Sequence, residues 1–135
     1  MEIRFKSIGT AHTDTGTVPR HWTVSDVEGT IVLAPEFTRG LSGINAGQRI
    51  VVLFYFHEST AFSSGLLIQT PPHIGKAFGV FSICSPRRPN PIGLSVLTGL
   101  ARDQNVLHVK GMGMIDGTPI LDIKPFIADA GHASD

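Results

Sequence analysis

Apolar and polar positions alternate along this chain in short bursts, cut at close intervals by Gly, Pro, Asn and Asp. The runs are "EIRFKSI", "GTIVLAP", "QRIVVLFYF", "GLLIQT", "FGVFSI", "IGLSVLTGL", "NVLHVKGMG" and "PILDIKPF". They are rich in β-branched and aromatic residues, and each reads as a short strand. The pattern predicts an all-β fold, a small closed or nearly closed β-barrel of about seven to eight short strands, because closure removes the exposed sheet edges that so many strands would create. A helical period is sustained nowhere, so minor helical decorations are expected only from Arg39 to Ala46 and after His57. "RIVVLFYF" is apolar almost without interruption and is placed as a central strand buried on both faces, with His57 and Glu58 at the rim where it ends.

Composition narrows this picture. The 135 residues, 41% hydrophobic and 16% charged, suit one well-cored domain, expected over 1–127, with the small and polar "ADAGHASD" at 128–135 as a flexible tail. Eleven basic and eleven acidic residues cancel, so any contact with a polyanion must come from local clustering. The single cysteine, Cys84, excludes an internal disulfide framework and a multi-cysteine zinc site, and favours a reducing, cytoplasmic setting. The longest apolar run, Ile50 to Phe56, is too short to cross a bilayer, and the six histidines have no metal-ligand spacing. Neither a membrane nor a metal is expected as a partner. Phosphate-loop, dinucleotide and nucleophile-elbow patterns are absent as well.

The most unusual stretch is "SPRRPNPIGLS", Ser85 to Ser95. Each proline biases its predecessor toward extended backbone, so Ser85, Arg88 and Asn90 are stiffened together by Pro86, Pro89 and Pro91. Such a rail can hold Arg87, Arg88 and Asn90 as fixed donors toward a ligand or phosphate, and Gly93 lets the backbone approach something bulky. The alternatives are a surface loop with solvated arginines and a PxxP ligand, the latter disfavoured by the apolar strands on both sides. In "DGTPILDIKPF", Asp116 to Phe126, turn chemistry precedes a strand whose period of two puts Ile120, Asp122 and Lys124 on one face. Asp122 and Lys124 are then either a solvated ion pair or a desolvated acid–base pair. "TVPRHW", Thr17 to Trp22, is a loop whose tryptophan either stacks on a base or closes the barrel end.

"GVFSICSPRRPNPIGLS" and "DGTPILDIKPF", with "VPRH" before them and "VLFYFHES" between, resemble the TsaA-like family over essentially the whole chain. The resemblance implies a β-barrel methyltransferase domain that binds S-adenosylmethionine (SAM), works as a homodimer and methylates N6 of threonylcarbamoyl-adenosine beside the anticodon of tRNA. It implies a cofactor site drawn from Pro19, Arg20, His21, His57, Glu58, Cys84, Leu94, Asp116, Gly117, Thr118 and Pro119. Asp122 and Lys124 are then the expected catalytic pair, Asp122 orienting the amine or taking its proton. Arg87 and Arg88 are the expected RNA contacts. Where the family reads "TRSP", this chain has Ile83-Cys84-Ser85-Pro86, a small thiol in place of a forked cation. A SAM-dependent enzyme with another acceptor and a non-catalytic SAM- or nucleotide-binding module are the competing readings.

Overall fold

The computed structural model describes residues 1–14 and 25–127. The "VPRH" stretch, with Pro19, Arg20 and His21, and the tail at 128–135 lie outside the described residues. Among the described residues eight strands follow one another: β1 (Gly9–His12), β2 (Glu28–Leu33), β3 (Arg49–Tyr55), β4 (Ile68–Gln69), β5 (Phe78–Gly79), β6 (Ile92–Asp103), β7 (Val106–Lys110) and β8 (Thr118–Pro125). Six of them close into a barrel in the order β1-β2-β7-β6-β3-β8, while β4 and β5 form a separate two-stranded sheet. The expected closed all-β barrel is therefore present. Helical structure among the described residues is limited to 3-10 turns, at Pro35–Leu41, Ser64–Leu66 and Val80–Ser82. None is long and apolar enough to cross a membrane.

Closure depends on β8, which pairs antiparallel with β1 on one side and β3 on the other. Inside, Ile31, Val52, Leu97, Val109 and Ile120 have no exposed surface. Burying an aliphatic side chain of this size contributes about 1.5–3 kcal/mol before the entropy cost of ordering it. Strand β3 departs from the expectation of burial on both faces. Ile50, Val52 and Phe54 are buried, Val51 and Leu53 half-buried, and Tyr55 exposed. A barrel strand has an outer face, and Tyr55 at the end of this one stands exposed on it.

The run "EIRFKSI" is not a strand along its length. It joins the barrel only at its end, where the Ile8 N–H donates to the Ile120 carbonyl at 2.8 Å. Ile3 and Phe5 remain exposed. The first helical piece begins at Pro35, ahead of the expected Arg39, because proline fixes the first-turn φ and has no N–H to leave unpaired. A second departure lies in β8. Leu53 pairs with Asp122 but Phe54 pairs with Ile120, so Leu121 is an extra residue opposite that step. This β-bulge inverts the alternation. Ile120 points into the core, and beyond the bulge Ile123 takes the inward phase against buried Val52 while Asp122 and Lys124 share the outer face. The expected common face of Ile120 with Asp122 and Lys124 is thus broken.

Gly93 answers to a close approach within the fold itself. Its position opposite Phe54 in the β3–β6 ladder places the Phe54 and Phe56 rings over its α-carbon, and these rings meet edge to face at 5.1 Å between centroids. A Cβ there would come within 2.8 Å of Phe56 Cζ and closer still to the Phe54 ring. Gly93→Ala is expected to lower the free energy of unfolding by about 1–3 kcal/mol through overpacking, measured by urea denaturation; an unchanged midpoint would mean that the two rings yield freely.

Candidate active site

One end of the barrel holds a cavity of about 710 Å³. The β3–β6 register of Phe54 with Gly93 and Tyr55 with Ile92 lays two strand ends side by side, and the Phe56 N–H extends the pairing to the Pro91 carbonyl at 2.8 Å. From this seam the chain beyond β3 supplies Phe56, His57, Glu58 and Ser59. The β6 end supplies Ile92, Leu94 and Ser95, and the loop before β8 supplies Gly113, Met114, Ile115 and Thr118. The fourth wall is the proline rail, with Ile83, Cys84, Pro86 and Arg88. The lining is mostly apolar with few polar groups, the usual chemistry of a small-molecule site, and the volume lies within the roughly 300–1,000 Å³ typical of one.

The rail is fixed by named bonds. The Ser59 hydroxyl donates to the Pro86 carbonyl at 3.0 Å, and buried Gln69 donates from Nε2 to the Arg87 carbonyl at 2.7 Å. Arg88 turns inward, its Nη1 donating to the carbonyls of Ile83 at 3.0 Å and Ser85 at 3.1 Å. Arg88 is therefore a strut that holds Cys84 and its neighbours at the cavity wall. Arg87 is exposed, and among the described residues its guanidinium forms no hydrogen bond or ion pair. Cys84 is a free, exposed thiol.

His57 and the turn before β8 meet here although they are far apart in sequence. Gly117, at φ 86°, turns the chain so that a side chain on it would touch His57 Nε2 at 4.0 Å. The other ring nitrogen, His57 Nδ1, is buried without a hydrogen-bond partner. An unpaired buried polar atom is costly, and an ordered water or a bound molecule reached by a small turn of the ring is what would pair it. Thr118 is buried and donates its hydroxyl to the Ile115 carbonyl at 2.6 Å, which closes the same turn.

Asp116 lies on the far side of the turn. Its carboxylate accepts from the Thr13 N–H at 3.0 Å and contacts His12 Nδ1 at 3.2 Å, tying β1 to the turn. The Thr13 N–H first, and then the His12 ring, hold the carboxyl below its ordinary value.

Of the expected cofactor residues, His57, Glu58, Cys84, Leu94 and Thr118 line the cavity. Gly117 borders it through His57. Asp116 and Pro119 do not line it, and Pro119 pairs with Thr10 in the barrel wall. The expected catalytic pair sits elsewhere: Lys124 Nζ and Asp122 Oδ2 are 3.4 Å apart, beside a second hollow of about 590 Å³ shared with Ile8, Phe37 and Ile44. Ser59, Ile92, Ser95 and Gly113 to Ile115 also line the cavity without standing out in the sequence as site residues. "GMGM" signalled only a turn, and the strand register needed to bring it to the cavity has no local signature.

Residues 7–132 match the tRNA-methyltransferase O N-terminal domain. The chain belongs to that family. A crystal structure of TrmO from Pseudomonas aeruginosa superposes with a TM-score of 0.76 at 29% identity, covering 100% of this chain and 59% of that one. A probable S-adenosyl-L-methionine-binding protein of Pyrococcus abyssi is 41% identical over 77% of this chain and 55% of its own length. One from Methanothermobacter thermautotrophicus is 33% identical over 96% of this chain and 93% of its own. The tRNA (adenine(37)-N6)-methyltransferase of Mus musculus is 40% identical over 66% of this chain, which spans only 21% of the mouse protein.

In this TrmO-type domain the lowered pKa of Asp116 has a definite sign. The contribution is present in full above the ordinary carboxylate range and is lost as pH falls through the lowered folded value. In an acid titration followed by NMR, the Thr13 amide resonance is expected to move with a midpoint below the ordinary 3.8. Asp116→Asn should abolish that transition; a midpoint at or above 3.8 would contradict the Thr13 bond as its cause.

Proposed function

We propose that this chain is a SAM-dependent methyltransferase acting on N6 of threonylcarbamoyl-adenosine beside the anticodon of tRNA. The observation that carries the reading is the cavity that gathers the orphaned Nδ1 of His57, the Glu58 carboxylate and the apolar Ile92 and Leu94. Family membership and the tRNA (adenine(37)-N6)-methyltransferase relative from mouse support it.

The residues present fit the cofactor. Ile92, Leu94 and Phe56 offer apolar surface to a nucleoside, Glu58 supplies the negative charge that a sulfonium needs, and His57 Nδ1 needs a polar partner. When bound, SAM supplies an electrophilic methyl group. The chain's own work is then to align the acceptor nitrogen and exclude water, with Arg88 and Gln69 keeping the rail wall rigid. Carbamoylation makes N6 urea-like, a poorer nucleophile with a more acidic proton, so a proton acceptor near it is useful. His57 and Glu58 lie at the cavity and Asp122 does not, and the acceptor role is assigned to the former pair. We place the enzyme in the cytoplasm as a homodimer; exposed Tyr55, Ile92 and Leu94 at the cavity mouth support a covering second copy.

A non-catalytic SAM-binding module is the second reading. It is favoured by the Methanothermobacter relative of matching length, which is named only as a binding protein, and by Cys84 at the cavity wall.

Calorimetric titration of cofactor-stripped protein with SAM is expected to saturate near one site per chain, and Glu58→Gln or His57→Ala should weaken binding about tenfold, in line with the loss of one charged or buried polar contact. Absence of binding at millimolar SAM by folded protein would overturn both readings. Transfer of labelled methyl to tRNA carrying threonylcarbamoyl-adenosine, and not to tRNA lacking it, is the expected outcome of the activity assay. SAM binding without transfer to either would leave the binding module.

A further inference from the structure

Net neutrality conceals a segregation of charge. Between Ser59 and Pro91 the chain carries Lys76, Arg87 and Arg88 and has no Asp or Glu. This segment lies outside the barrel and contains the β4–β5 sheet. It is stitched into one unit: Ser59 bonds to Pro86, Gln69 bridges the carbonyls of Leu66 and Arg87, and the Val80 N–H donates to the Leu67 carbonyl at 2.9 Å. The turn between β4 and β5 is pre-set by Pro71 and Pro72 and closed by the Gly75 N–H on the Pro71 carbonyl at 2.9 Å. Lys76 Nζ stands 5.6 Å from the centre of the Phe78 ring, held by a face that does not neutralise it. Next to β5, buried Val80 anchors the backbone while Phe81 projects outward, 77% exposed.

Resting on the tRNA reading above, we infer that this acid-free segment is an RNA-docking platform, with Phe81 as a base-stacking surface and Lys76 and Arg87 as phosphate contacts. An exposed aromatic ring carried on the same stitched segment as cations that lack carboxylate partners is the chemistry of single-stranded nucleic-acid binding, and the bases of an anticodon loop are accessible for stacking. Charge complementarity separates RNA from a second copy: a two-fold contact through this face would set its own cations against each other. Arg88 is not part of the platform, because its guanidinium is turned to the carbonyls of the rail. Through Gln69 and the Arg87 carbonyl, the platform is joined to the wall that carries Cys84, so a docked strand lies next to the cavity mouth.

The test is tRNA binding by fluorescence anisotropy at several salt concentrations, with SAM affinity measured in parallel, on the full chain and its Lys76→Ala, Arg87→Ala and Phe81→Ala variants. Each cation variant is expected to weaken tRNA binding several-fold and to reduce the slope of log K against log salt by about 0.7–0.9. Phe81→Ala should weaken it about tenfold with the slope unchanged. SAM affinity should stay at the wild-type value in all three. Variants that bind tRNA as the wild type does would overturn the platform and leave the methyltransferase reading standing. A wild-type chain that binds SAM but not tRNA would overturn the platform and the choice of acceptor, and one that binds neither would overturn the platform together with the SAM-dependent reading on which it rests. If sedimentation shows a wild-type dimer that Phe81→Ala dissociates while tRNA affinity holds, the face belongs to a second copy and the RNA inference is wrong.

Discussion

The double pairing of β8 is the constraint on which the rest of this structure depends. A sheet of β1, β2, β7, β6 and β3 alone would present two open edges; β8 fills both, bonding to β1 and to β3. Closure fixes where the strand ends fall. Because β3 lies between β6 and β8, the residues that follow it, His57 and Glu58, emerge between the proline rail entering β6 and the turn entering β8. The cavity is thus a consequence of strand order, assembled from three stretches that no local contact would bring together.

The Leu121 bulge is part of the same constraint. Without it, continued alternation from Ile120 would carry Asp122 and Lys124 inward, where two charges in an apolar barrel would face a desolvation penalty that their mutual attraction offsets only in good geometry. With it, Ile123 takes the inward phase against Val52, and the two charges meet on the outside. A single inserted residue keeps the Asp122–Lys124 pair out of the apolar interior and on the outer face of the barrel.

What was legible in the sequence follows from what is local. Strand identity is written in alternation and β-branching, and the barrel strands β2, β3, β6, β7 and β8 each overlap such a run. The stiffness of Ser85 to Pro91 is written in its prolines, and the need for glycine at Gly93 in its place within an aromatic-rich core. Other features are set by pairing across long separations. The bulge depends on the register of β3 with β8, the short span of β4 and β5 on whether neighbours exist to pair with, and the approach of His57 to the turn at Gly117 on closure. The distinction between Arg87 and Arg88 is of the same kind. Two adjacent arginines look alike in sequence, yet one faces solvent and the other donates to two carbonyls of its own loop.

That difference bears on the replacement at Cys84. A cation at this position would stand beside the Arg88 guanidinium at the wall of a cavity where a positively charged sulfonium is proposed to bind, and like charges in such an enclosure oppose one another. The small thiol removes one of them, leaving the Glu58 carboxylate less opposed at the cavity. It also offers no forked donor, so orientation of a bound ligand would fall more heavily on His57, Glu58 and the backbone of the rail. The wall keeps its shape because Arg88, Ser59 and Gln69 bond to backbone carbonyls and not to the side chain at 84. A thiol in place of a cation at 84 therefore bears on the chemistry of the cavity and leaves its scaffold standing.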